Sequence, residues 1–267
     1  MDLTDSQILV NIYSNIDVFM VVFVRVLGFM IVLPVMSGQN IPMQVRLILS
    51  LSLAFLVFMA NSVVLPPYGL NVISFAMLLM QEFLVGLVLG LVVMMIFSMF
   101  HFVGQLVDYQ MGFSMVNVMD PFSNQQTPIT GNLYYMIISL FFVTQGGLHL
   151  VLRAMFESFG VLRLGEAVVL TNQNLPQIIM NIIINYFRIG FNIALPIIGT
   201  LIIVNFILGI LVKAVPQMNV FVVGMPLKVF IGLILVYITI PFLTSAFDWM
   251  MTDIYSHMVG AIREMMP

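Results

Sequence analysis

Phe83-Leu-Val-Gly-Leu-Val-Leu-Gly-Leu-Val-Val-Met-Met-Ile-Phe-Ser-Met-Phe-His-Phe-Val-Gly-Gln-Leu-Val107 runs without an acid, a lysine or an arginine. A stretch of that length passes the roughly 18 apolar residues that mark a membrane-crossing candidate. Four more uncharged runs repeat the pattern: Leu47 to Gln81, Ala167 to Phe187, Ile189 to Val212 and Val229 to Phe247. Of the 267 residues, 62% are hydrophobic and 7% charged, with a mean hydropathy of +1.16. Soluble domains carry about 25% charged residues. The pattern predicts an all-α, integral membrane-type protein built of long hydrophobic helices.

About six such helices are expected, near Ile16–Leu33, Val45–Leu65, Val72–Val103, Asn132–Phe156, Ile178–Val212 and Val222–Thr244. At 1.5 Å per residue the third is about 48 Å long, well over a hydrocarbon core of about 30 Å, so it must tilt, break or project. Turns are expected at Pro34 to Pro42, Pro66-Pro67, Pro121 to Pro128, Leu164 to Pro176 and Pro216 to Pro226, with a kink at Pro196. From Phe242 onward Leu243, Phe247, Met250, Ile254, Met258 and Ile262 alternate with Asp248, Thr252, Asp253 and His257. That spacing predicts an amphipathic C-terminal helix over about 242–264, docking on a partner or on the membrane surface. The acidic start lacks the basic region of a secretory signal, and Thr4 to Gln7 has the form of a capping box.

Several function classes are disfavoured by composition. The chain has no cysteine, so no disulfide, thiolate metal site or cysteine nucleophile. Eight basic residues in a net charge of -3 leave no patch for nucleic acid. His101, His149 and His257 are far apart and fit no metal-binding or hydrolytic motif. Neither an enzyme, a cofactor nor a metal is expected. Lys and Arg are nearly balanced: with six regular spans Arg46, Lys213 and Lys228 would fall on one side and Arg153, Arg163 and Arg263 on the other. Positive-inside bias therefore assigns no orientation, as if the helices did not all cross a bilayer in the ordinary way.

Charges inside apolar helices are costly and mark either a pathway or a pairing between helices or subunits. Arg25, Glu82, Arg188 and Asp17 qualify. Gly86 and Gly90, four apart, would let two helix backbones approach closely, although glycine is common in membrane helices. Gly104 to Pro121 is rich in Gly, Met and amide residues and lacks Lys and Arg altogether. By composition it reads either as a plain loop between helices or as a segment with a reason to exclude cations.

Taken in order, these pieces resemble the FliR family, the R component of the flagellar type III export gate, which has counterparts in injectisomes. The matching pieces are Arg25-x-x-Gly28 with Pro34 and Ile41-Pro42-x-x-Val45-Arg46, then Glu82-x-x-x-Gly86-x-x-x-Gly90. Gly104-Gln105-x-x-Asp108-x-Gln110-Met111-Gly112-Phe113-Ser114 and Asp120-Pro121 follow, and then Pro216-Gln217-Met218-Asn219-Val220-Phe221 with Gly224-x-Pro226-Leu227-Lys228.

The resemblance implies a subunit of a helical ring in the bacterial inner membrane, at the flagellar basal body. One R copy would stand beside several P and Q components, with the B component wrapped outside and the A component beneath. Residues 1–165 would be P-like and about 178–250 a Q-like hairpin within a single export-gate domain. The channel would pass unfolded flagellar proteins, and the subunit would touch membrane lipid. By the same resemblance the pore plug comprises Gln105, Asp108, Gln110, Met111, Gly112, Phe113, Ser114, Met115, Asn117, Met119, Asp120 and Pro121. Arg25, Arg46, Glu82, Gly86, Gly90, Pro216, Asn219, Phe221 and Lys228 would serve helix packing or subunit contacts. Methionine and phenylalanine give a plug adaptable bulk, and Gly112 gives it hinge freedom. A secondary transporter or channel, a scaffold subunit and an injectisome counterpart are the alternatives.

Overall fold

The computed structural model describes residues 3–37, 41–60, 72–113, 128–166, 175–217 and 219–266. It is all-α. Its eight helices among the described residues are α1 (Leu3–Val32), α2 (Pro34–Ser37), α3 (Met43–Ala60), α4 (Val72–Met111), α5 (Ile129–Thr144), α6 (Gly147–Val161), α7 (Leu175–Ala214) and α8 (Val220–Glu264). Four of them, α3, α4, α7 and α8, are long and apolar enough to cross a membrane, and α5 with α6 makes a fifth candidate if the bent pair counts as one span.

The helix boundaries differ from the sequence expectation in instructive places. α1 begins at Leu3 rather than near Ile16. The expected fourth helix is two, because Gln145 and Gly146 interrupt it and the axis turns by 68°. Gly146 sits at φ +79, a left-handed conformation that a continuing helix cannot contain. The expected sixth helix and the amphipathic tail are instead one 45-residue helix with Pro226 and Pro241 inside it. Pro226 therefore does not bound a turn. The apolar stripe of the tail (Leu243, Phe247, Met250, Ile254, Met258 and Ile262) is buried within this chain, not left as a free docking face. α7 likewise stays helical through Pro196. Thr200 and Thr244 donate their hydroxyls to the carbonyls of Pro196 (2.8 Å) and Pro241 (2.6 Å), in the turn that follows each proline.

α4, α7 and α8 are 40, 40 and 45 residues long, or about 60 Å and more, twice a hydrocarbon core. They differ in surroundings. In the most apolar window of α4, 61% of residues are buried, against 28% for α7 and 17% for both α3 and α8. α4 is a core helix. The other three leave apolar sides open for lipid or neighbouring subunits.

The chain forms two compact units. The first takes in residues 1–94, 148–182 and 251–267, and the second 95–147 and 183–250. In the first, α1 crosses the early turns of α4 through glycines. A Cβ on Gly28 would lie 2.5 Å from the Phe83 carbonyl oxygen, and one on Gly90 would lie 2.8 Å from that of Phe29. A Cβ on Gly86 would collide with the Arg25 carbonyl. The backbones thus touch where the G-x-x-x-G pattern and Gly28 face each other.

Beside this crossing Arg25 and Glu82, both fully buried, pair at 2.5 Å. The Arg25 guanidinium also donates to the carbonyls of Ser158 (3.3 Å) and Leu162 (3.2 Å), at the last turn of α6. It lies 4.4 Å from the centre of the Phe159 ring. The second Glu82 oxygen accepts the Gly165 N–H at 2.8 Å, and Gly165 has φ +77. One ion pair therefore secures the C-terminal end of α6, adding a second bond at the Ser158 carbonyl, which already accepts the Leu162 N–H, and one at the Leu162 carbonyl just past the helix, and it ties three helices together. Phe19 of α1 and Phe58 of α3 meet edge to face at 5.9 Å on the same unit.

Arg25→Ala or Glu82→Ala alone should destabilise the protein by about 3–5 kcal/mol, because each leaves the other charge buried and unpaired. The double change Arg25→Met with Glu82→Met should recover most of that loss, as read by thermal unfolding in detergent. Gly86→Val should cost about 1–3 kcal/mol or more by overpacking the α1–α4 crossing, while Gly199→Val, with open space at its Cβ, should be mild by comparison.

Candidate functional site

The second unit contains the segment that the sequence marks out. The expected loop beginning at Gly104 is, in its first part, helix: α4 continues to Met111, eight residues past Val103. Phe100, Val103, Val107 and Met111 are buried, with Gly104 and Asp108 beside them, so the inward stripe simply runs on. Gly104 is not a break. A Cβ there would collide with the backbone of Gly131 in α5, so this glycine is the point of closest approach between the two helices.

The actual stop is Gly112, at φ +91. Its N–H donates to the Tyr109 carbonyl (3.3 Å) and that of Phe113 to the Asp108 carbonyl (3.1 Å), the paired closing bonds of a glycine-terminated helix. The side chain of Asp108 works in the other direction. α5 starts after Pro128, which supplies no side-chain cap. Asp108, largely buried, accepts the Thr130 N–H at 3.1 and 3.2 Å, and the Thr130 hydroxyl donates to the same carboxylate. A carboxylate from α4 thus caps the N-terminus of α5, where negative charge and an acceptor are both favoured. One residue ends one helix with its carbonyl and begins the next with its carboxylate. The chain between Gly112 and Pro128 leaves and returns at that clamp.

Met111 is fully buried and seated on Gly232 of α8, where an added Cβ would lie 2.7 Å from its Cγ and 2.8 Å from its Sδ. Tyr134 of α5 and Thr239 of α8 share a buried hydroxyl contact at 3.2 Å. α4, α5 and α8 are therefore joined around the base of the segment. α8 begins at an asparagine cap: the Asn219 side chain accepts the Phe221 N–H at 3.1 Å. An open cavity of about 340 Å³ lies beside this cap, lined by residues of α4, α7 and α8 and by Gly112.

That cavity unites two sequence motifs. Gln110, Met111 and Gly112 line it together with Phe221 and Lys228. Gln105 faces outward, Phe113 is half-buried, and Pro216 is exposed. Ser114, Met115, Asn117, Met119, Asp120 and Pro121 lie outside the described residues. Arg25, Glu82, Gly86 and Gly90 gather in the first unit at the crossing described above, whereas Arg46 sits on α3 and donates to the Ile41 carbonyl at 3.2 Å. Sequence reasoning missed Thr130, Gly131, Gly232 and Asn205. Only the small residues Thr130-Gly131 just after Pro128 offered a signal, as the start of a helix that something must cap. Among the described residues no three His, Asp or Glu side chains converge in a way that could hold a metal.

Residues 16–254 match the family model described as bacterial export proteins, family 1. The chain is 32% identical over 230 residues to the flagellar biosynthetic protein FliR of Bacillus subtilis, covering 85% of this chain and 88% of that one. It is 29% identical to FliR of Aquifex aeolicus (83% and 84% covered) and 28% identical to FliR of Escherichia coli (90% and 91% covered). Likeness at that level over nearly the whole length, on a scaffold of apolar helices, means that the chain belongs to the bacterial export proteins of family 1, the FliR family.

Proposed function

We propose that the chain, as a FliR-family membrane component of the flagellar export apparatus, helps wall the export channel in the bacterial inner membrane and plugs it between export events. The observation that carries this reading is the double duty of Asp108, which holds both ends of the segment from Gly112 to Pro128 at one clamp. A seal needs a fixed base and a yielding tip. The clamp supplies the base. Phe113, Met115 and Met119 supply apolar bulk that adapts to varied polypeptides, and Gly112 supplies a hinge. Ser114, Asn117, Asp120 and Pro121 complete the segment, and opening it needs no covalent chemistry.

The open apolar sides of α3, α7 and α8 support a ring built with P and Q components, one copy of this chain closing it. In that arrangement residues 1–165 take the P-like place and 178–250 the Q-like place. Arg46, Pro216, Asn219 and Phe221 stand at subunit contacts, the B component lies outside and the A component beneath. The cargo is unfolded flagellar protein.

Coexpression with P and Q components and native mass spectrometry should give one copy of this chain in an assembly holding several of each. A stable monomer or homodimer that ignores both would contradict the proposal. In cells, Asp108→Ala removes a charged acceptor worth about 1.5–3 kcal/mol, so ion leak through the idle gate should rise roughly tenfold or more. Thr130→Val should act in the same direction, Thr130→Ser should stay near wild type, and deletion of residues 114–119 should leak most. Unchanged leak in the deletion would end the plug reading.

A further inference from the structure

Met111 stands on the α4 turn that carries the clamp, three residues past Asp108, and its side chain is fully buried. It ends against Gly232 of α8, where a Cβ would lie 2.7 Å from Met111 Cγ and 2.8 Å from Sδ. Cγ is the near part of that side chain, so the seat has no room for a methyl group unless Met111 gives way. Gly232 belongs to the inward stripe of α8, followed at helical spacing by Val236, Thr239 and Leu243, all of them buried.

Two turns along that stripe, Thr239 meets Tyr134 of α5 at 3.2 Å. The Thr239 hydroxyl already donates to the Val236 carbonyl (2.8 Å), so its one proton is committed and Tyr134 is the donor between them. Tyr134 lies one turn after Thr130, the residue that Asp108 caps. The contacts close a ring. Asp108 joins α4 to α5, Tyr134 joins α5 to α8, and Met111 joins α8 back to α4. α8 therefore holds both partners of the clamp, the turn that ends α4 and the turns that begin α5.

We propose that Gly232 and Thr239 are positioning residues for the clamp. α8, more than a hundred residues away in sequence, sets the spacing between the end of α4 and the start of α5. Met111 is the anchor of that arrangement and not part of a yielding tip. The bearing of this on closure rests on the plug reading; the positioning itself does not.

The test is hydrogen exchange on the full chain, in the assembly with which it purifies. The peptide containing Thr130 reads the clamp directly, because Asp108 holds the Thr130 N–H. Gly232→Ala should speed exchange there about fivefold or more, while peptides of α1 keep their wild-type rates. Gly232→Ala with Met111→Ala should exchange more slowly than Gly232→Ala alone, because a shorter side chain and an added methyl complement each other. Gly199→Ala on α7, with open space at its Cβ, should leave exchange unchanged. Thr239→Val should speed it, since the Tyr134 hydroxyl is left buried without an acceptor. Tyr134→Phe leaves Thr239 bonded to Val236 and should stay near wild type. Wild-type exchange at Thr130 in Gly232→Ala, the result if Met111 merely turns aside, would overturn the proposal. A double variant no slower than the single one would overturn it too. The plug reading fails separately: a deletion of residues 114–119 that does not leak would end it and leave the exchange results standing.

Discussion

Helices as apolar as these gain little from the hydrophobic effect when their surroundings are as oily as they are, so something else has to hold them in register. This protein uses two devices, and each compact unit contains both. Glycines let backbones touch: Gly28, Gly86 and Gly90 at the α1–α4 crossing, and Gly104 with Gly131 where α4 meets α5. A buried carboxylate then fixes the crossing by binding at helix ends. Glu82, with Arg25, secures the end of α6, and Asp108 caps the start of α5. Both carboxylates lie on α4, the helix with the most buried apolar window.

The consequence for function follows from where those carboxylates sit along α4. Glu82, in its early turns, belongs to packing. Asp108, in its last turn, is next to the glycine that ends the helix. There the same close approach that packs two helices also brings both ends of the intervening segment to one point. On the proposed plug reading, the tip can change without loosening the wall, because Gly112 comes after the clamp. If the channel passes unfolded chains of many sequences, as proposed, that division of labour matters more than any single side chain at the tip.

Much of this was legible in the sequence, and the failures have physical causes. Long uncharged runs announced apolar helices, and the isolated charges Arg25 and Glu82 announced a buried interaction, though not that they would find each other. The G-x-x-x-G at Gly86 was weak evidence alone because its meaning depends on Gly28, 58 residues away, facing it. The break at Gly146 was missed because glycine is tolerated inside membrane helices, so only its φ of +79 distinguishes a stop from a packing residue. Gly104 was misread in the opposite sense: taken as the start of a loop, it is a contact point inside a helix. The caps of α5 and α8 show the same contrast. Asn219 caps its own helix and stands in a recognisable turn, whereas Asp108 caps a helix that begins 21 residues later, a relation that no local pattern encodes.

The central claim is that the segment clamped by Asp108 stands in the path of the exported chain. The protein has no native cysteine, so a single Met115→Cys can be placed in that segment and challenged with an export substrate carrying one cysteine and stalled part-way through the gate. Oxidation should yield a disulfide between the two, with a yield that follows the position of the substrate cysteine along its sequence. A Met115→Cys protein that supports export, reacts freely with small thiol reagents and never captures the stalled chain would contradict the account.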